Sequence, residues 1–326
     1  MTHHRKLLVA AALGASCLVA ATTASAQEFP NKQIRIVVPF SAGGIVDSIA
    51  RVIGEKLGSR YGQSVLVENK TGAGGAIGTD FVAKAPADGY TLLLASPSHT
   101  VNPSLQKNVS WDPVRDFKAI AGIGIVPNVI VVHPSVAAKT MDELVDLAKK
   151  SNPPLTYASG GIGTSNHLSG ELLAQDAGIK LTHVPYKGQP DAMNDLLSGR
   201  VAMMPMTAAL AMPHVKDGKL RALAVTTAKR ASAVPELPTV AEAAHLPNYQ
   251  VSTWFGLVAP AKTPDAVRNK LSADVSAILA MPEVKAKLAA LGMELVPQSA
   301  AEFDAFVANE SARWSKVIKQ AGIEPN

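Results

Sequence analysis

Three glycine-rich stretches carry the residue types best suited to holding a small anion. The first is Pro39-Phe40-Ser41-Ala42-Gly43-Gly44, the second Thr71-Gly72-Ala73-Gly74-Gly75-Ala76, and the third Ser159-Gly160-Gly161-Ile162-Gly163-Thr164-Ser165. Each falls between a strand-like and a helix-like segment. A strand-to-helix turn presents free backbone N–H groups and the positive end of the helix dipole, which together hold an anion without a charged side chain. Ser41, Thr164 and Ser165 would add hydroxyl donors. Glycine also serves simply to permit a tight connection, and the middle stretch is read that way. The first and third, one in each expected domain, would clamp one or two carboxylates when facing each other.

Nucleotide chemistry fails on spacing. After Gly72 and Gly74 a dinucleotide fingerprint needs glycine at 77, where Ile77 stands, and in the third stretch Asn166 occupies the last glycine position. No P-loop, His-Glu-x-x-His or Gly-x-Ser-x-Gly motif occurs. His99, His133, His167, His183, His214 and His245 are never three to five residues apart, so no metal is expected. His167 is read as a cap or structural residue, Asp47 as a favourable charge at a helix start, and Trp254 as core rather than cleft wall. Lys187 and Arg51 are possible counter-charges.

The elements that must position these loops alternate along the chain in the manner of an α/β protein. Ile34-Arg35-Ile36-Val37-Val38 reads as a strand. Ile45, Ile49, Val52, Ile53 and Leu57 follow at helical spacing, with Gly58 as the stop. Strands are expected at 65–67, 90–94, 128–132, 156–158, 181–184, 201–204, 220–225 and 254–259, with helices between and a mainly helical end. Thr140 and Glu143 are placed for a capping box. The Pro127-Asn128 and Pro247-Asn248 steps mark two domain crossings. They give a discontinuous first lobe, 27–127 plus 248–326, around a second, 128–247, with the two crossing strands as a hinge.

Composition bounds the partners. The chain has 326 residues, Lys+Arg 31 against Asp+Glu 26, a net charge of +5 and 47% apolar residues. That is room for two cores and too weak a charge for a nucleic-acid binder. Residues 1–26 read as a cleavable export signal: His3, His4, Arg5 and Lys6, an apolar run over 7–21, then Ala24-Ser25-Ala26. The run is shorter than the roughly 20 residues that span a bilayer. Gly14 stands where a lipidation site at Cys17 would want leucine. Cleavage removes two cations and the one cysteine, leaving no disulfide or thiol chemistry in a periplasmic chain.

The ordered motifs also resemble a known family. The chain looks like a Bug-type extracytoplasmic solute receptor, the substrate-binding component of tripartite tricarboxylate transporters. The resemblance rests on Ile34–Val38 continuing through Pro39 and Phe40 to Gly44 with Asp47 and Arg51, and on Val67-Glu68-Asn69-Lys70 with the second glycine stretch. It continues in Ala85-Pro86-Ala87-Asp88-Gly89-Tyr90, His183-Val184-Pro185-Tyr186-Lys187-Gly188, Leu237-Pro238-Thr239-Val240 and Trp254-Phe255-Gly256-Leu257. It implies a two-lobed, Venus-flytrap periplasmic binding protein that is not an enzyme and needs no cofactor. It further implies a monomer closing on a small carboxylate and delivering it to membrane permease subunits. Mapped here, ligand contacts fall on Phe40, Ser41, Ala42, Gly43, Gly44 and Ser96 in the first lobe, and on Gly161, Ile162, Gly163, Thr164, Ser165 and Asp191 in the second. Ile45-Val46 and the Met203-Met204-Pro205-Met206 stretch lean toward an aliphatic or aromatic carboxylate, methionines making adaptable apolar walls. The alternatives are a ligand-sensing component of a signalling system and a secreted hydrolase using Ser41 or Ser165.

Overall fold

The computed structural model describes residues 29–320 and Pro325, and the expected export signal at 1–26 lies outside them. From Lys32 onward the chain builds two sheets. Strand β1 (Ile34–Val38), helix α1 (Ile45–Tyr61), β2 (Val65–Asn69), a 3₁₀ turn (Ala73–Gly75), α2 (Ala76–Ala83), β3 (Thr91–Ala95), α3 (Pro97–Leu105) and β4 (Phe117–Val126) come first. The second series runs β5 (Asn128–Val132), α4 (Met141–Lys150), β6 (Leu155–Ser159), α5 (Ser165–Ala177), β7 (Leu181–Pro185) and α6 (Gln189–Leu197). It continues with β8 (Met203–Thr207), α7 (Ala208–Lys216), β9 (Arg221–Val225) and α8 (Val240–Ala243). The chain closes with β10 (Thr253–Pro260), α9 (Asp265–Ala280), α10 (Pro282–Ala290), β11 (Glu294–Gln298) and α11 (Ala300–Gln320).

One sheet has the order β11-β4-β10-β3-β1-β2 and the other β7-β6-β8-β5-β9, so each lobe has its own sheet. Within them β1 is parallel to β2 and β3, and β6 is parallel to β7 and β8. Parallel neighbours need crossover helices, and those helices begin at the carboxyl edge of the sheet. Ile34, Ile36, Val37 and Val38 are all fully buried, as a central parallel strand covered on both faces requires. In α1, Ile45, Ile49, Ile53 and Leu57 form the buried stripe. Gly58 does not end this helix. It continues to Tyr61 and stops at Gly62 in the left-handed conformation, and Gly58 instead lets the Gln63 carbonyl approach.

The chain passes between sheets from Val126 to Asn128 and returns through residues 251–253. The return is a few residues later than Pro247-Asn248, because Tyr249 and Val251 are buried with Tyr157 and Leu173 in the core of the second sheet. The two passages lie side by side: Thr253 pairs with Val126, and Thr226 Oγ1 donates to the Val251 carbonyl at 2.6 Å. The last helix also joins the lobes. Its Phe303 and Val307 pack with Trp254 on the first sheet, while Trp314 and Ile318 pack with Leu168 and Leu173 on the second. The capping box is found at Thr239 and Glu242; at Thr140 the Glu143 carboxylate takes the Lys139 amide instead.

Candidate functional site

Four helix starts converge on one cavity of about 50 Å³. Gly44, Ile45 and Val46 bring α1, Ser96 and Pro97 bring α3, Thr164, Ser165 and Asn166 bring α5, and Gly188, Gln189 and Pro190 bring α6. Three of the four N-cap residues, Gly44, Ser96 and Gly188, make no side-chain cap. The first N–H groups of a helix have no partner inside it, and the dipole adds a partial positive charge there. Left uncapped and turned to one space, such termini form an electropositive pocket without a cation, sized for a carboxylate head rather than a large ligand.

The loops themselves are stiffened from behind. Asp47, 3% exposed, accepts from the Gly43 amide at 3.0 Å, from Arg51 through two bonds of 2.9 Å, and from Asn69 Nδ2 at 3.0 Å. Burial pushes the Asp47 carboxyl up, but Arg51, the Gly43 amide and Asn69 together hold it below the ordinary range. Asn69 Nδ2 also donates to the Phe40 carbonyl at 2.9 Å. Asp47 therefore does more than complement a dipole: it fixes the first loop, with Arg51 as its own counter-charge.

Beneath the second loop two imidazoles lie with ring centres 4.4 Å apart. The Gly163 amide donates to His167 Nδ1 at 3.2 Å, and the Gly161 amide donates to Ser159 Oγ at 3.1 Å, which is 2.6 Å from His183 Nε2. Burial, reinforced by His183, pushes His167 down to about 3, and burial pushes His183 to about 4, so both are neutral. A neutral His167 is what the Gly163 bond needs, since a protonated Nδ1 cannot accept. Thr164 caps α5, accepting from the His167 amide, and donates to the Gly161 carbonyl at 2.7 Å. The glycine amides of both loops are thus largely spent within the protein, and the donors left facing the cavity belong to the helix starts.

Of the twelve expected contact residues, Phe40, Ser41, Gly44, Ser96, Thr164 and Ser165 line the cavity. Gly161, Ile162 and Asp191 instead face an outer groove of about 970 Å³, together with Gly74 and Lys187. Ala42, Gly43 and Gly163 line neither. Ser41 Oγ bridges the lobes by donating to Asp191 Oδ2 at 3.1 Å. The middle glycine stretch, read as structural, also meets the opposite lobe: a methyl added to Gly74 would overlap the Ile162 carbonyl.

Sequence reasoning missed the fourth helix start, Gly188, Gln189 and Pro190, although glycine before Gln-Pro-Asp is a readable helix start. It also missed Thr253 on the returning strand, which carries no local signal. The methionine stretch is not a cavity wall. Met203, Met204 and Met206 are fully buried in the two cores of the second lobe, because β8 is the middle strand of its sheet. Trp254 is core, edge-on to Phe303 and Phe306. Ser41 is bonded to Asp191 and Ser165 to Asn128 and Thr253, so neither is held by the imidazole that a serine nucleophile needs.

Comparison with known proteins agrees with this geometry. The family model described as "Tripartite tricarboxylate transporter family receptor" matches residues 49–323. A protein from Pseudomonas sp. (strain P51), described as a UPF0065 protein in the tcbD-tcbE intergenic region, is 38% identical over 91% of this chain and 89% of its own. The periplasmic binding protein BugD superposes with a TM-score of 0.85 at 36% identity, over 91% of this chain and all of its own. R. palustris Rpa4515 with adipate superposes at 0.86 with 36% identity, over 92% of this chain and all of its own. On this likeness over nearly its whole length, the chain belongs to the tripartite tricarboxylate transporter receptor family, as a Bug-type solute-binding protein.

Proposed function

We propose that the protein captures a small carboxylate between its lobes in the periplasm, after export by the 1–26 signal, and presents it to membrane permease subunits. The convergence of four helix starts, three without side-chain caps, on one cavity carries this reading. A carboxylate is the common solute anion whose two oxygens match such a set of amide donors. Phe40, Ser41, Gly44, Ser96, Thr164 and Ser165 form the inner contacts in this account. Ala42, Gly43 and Gly163 shape the loops, and Gly161, Ile162 and Asp191 close the outer side. One lobe is built on the sheet of β1–β4, β10 and β11 and the other on the sheet of β5–β9, and the protein acts as a monomer without a cofactor.

Ile45 and Val46 put aliphatic surface beside the amide donors. Together with the adipate carried by one relative, this favours a carboxylate with a methylene chain. Thermal melting against a panel of aliphatic mono- and dicarboxylates, aromatic acids, amino acids and neutral sugars tests the reading. Carboxylates should raise the melting temperature by the linkage between binding and folding, about 2.7 kcal/mol of stabilisation at a hundredfold excess over Kd. Stabilisation by a sugar and by no acid would refute it.

A further inference from the structure

Behind the cavity three polar side chains close a hydrogen-bonded ring. Asn128 Nδ2 donates to Ser165 Oγ at 3.1 Å, Ser165 Oγ lies 2.5 Å from Thr253 Oγ1, and Thr253 Oγ1 donates to Asn128 Oδ1 at 3.3 Å. With the amide bond and the Thr253 donation fixed, the ring is consistent in one direction: the Ser165 proton goes to Thr253, and the Thr253 proton to Asn128. All three residues are 5% exposed or less. Asn128 is the first residue of β5, on the outgoing passage between lobes; Thr253 is the first of β10, on the return; Ser165 is the first of α5, at the anion pocket. The ring therefore ties both hinge strands to the helix start that would hold the ligand. Ser165 and Thr253 line the cavity, while Asn128 stands behind them.

We infer that Asn128 and Thr253 are positioning residues that lock the hinge strands to the ligand-holding end of α5, so that lobe angle and pocket geometry change together. The inference rests on the carboxylate reading only for its ligand arm. Buried polar groups with every partner satisfied specify one arrangement, and opening one member leaves the others unpaired in a dry place. A ligand oxygen reaching Ser165 from the cavity would compete for the proton that Thr253 now receives, giving the pocket a direct mechanical connection to both strands.

The test measures lobe separation by paired spin labels at Ser59→Cys and Lys150→Cys, both exposed, in the mature chain from Gln27, which holds no other cysteine. Thr253→Val removes the hydroxyl at nearly constant shape, Thr253→Ser restores it, and Ser165→Ala breaks the ring from the helix side. In ligand-free protein, Thr253→Val and Ser165→Ala should broaden the distance distribution alike, with Thr253→Ser resembling the parent. With adipate as probe, Thr253→Val should bind about tenfold more weakly, the scale of one buried hydrogen bond. Unchanged distributions in Thr253→Val and Ser165→Ala overturn the inference; if Thr253→Val does not fold, Ser165→Ala decides it. If the parent binds no carboxylate, the proposed function fails, and the ligand-free distances still judge the ring.

Discussion

Replacing Gly74 by alanine separates lobe closure from folding. Gly74 sits at φ +58, a conformation that costs an L-residue roughly 1–2 kcal/mol. Its added methyl would also overlap the Ile162 carbonyl of the opposite lobe. Gly62, at φ +62 with no atom within 4 Å of the methyl position, bears the first cost without the second. Both variants should therefore melt a few degrees lower, since about 1 kcal/mol moves a chain of this size by a few degrees. Only Gly74→Ala must push the lobes apart or shift a backbone, which costs about 1–3 kcal/mol in the closed form alone. Ligand affinity follows the population of the closed form, so Gly74→Ala should bind roughly 5- to 150-fold more weakly than Gly62→Ala. Titration calorimetry with the tightest acid from the melting screen measures the ratio. Equal affinities for the two variants would show that the Gly74–Ile162 contact does not belong to the bound state.

Thr164→Ala removes the cap of α5 and the bond to the Gly161 carbonyl. Stability should fall by about 1 kcal/mol by denaturant titration, with weaker acid binding by calorimetry. His99 and His167 are buried, and burial pushes them to about 4 and about 3. Depressed values in the folded state mean the unfolded chain binds more protons between them and 6.5, so stability is full above pH 6.5 and declines below it. With His183, which burial holds at about 4, they make three such groups and should give a slope of about 4 kcal/mol per pH unit near pH 5. His99→Phe, which keeps the stack on Trp111 and the edge contact with Phe117, should reduce that slope by one proton; an unchanged slope would contradict a buried neutral His99.

The parallel α/β core was legible because β1, β3 and β5 each carry four apolar residues in five and α1 keeps a strict buried stripe. Helix α3 was not, since Pro-Ser-His-Thr-Val-Asn-Pro-Ser-Leu has little helical propensity and is held by burial on the core. The glycine loops pointed to an anion site, yet which amides face it depends on how side chains one helical turn on fold back: Asp47 takes Gly43 and His167 takes Gly163, each four residues away. The ring at Asn128 is illegible because its partners are distant in the chain. Its members are 37 and 125 residues apart, and each looks like an ordinary polar strand or helix start.

The last helix spans both lobes, and its Trp314 is the one of three tryptophans that packs with the second core; Trp111 and Trp254 lie in the first. Any sliding of Leu105 and Leu168 past that indole changes what surrounds it, while Trp254 is packed edge-on to Phe303 and Phe306 and Trp111 borders the outer groove. The molecule thus contains its own optical gauge. Its emission would follow solute capture without an attached dye, and grafting new pockets onto the scaffold would yield fluorescent sensors read at a native residue.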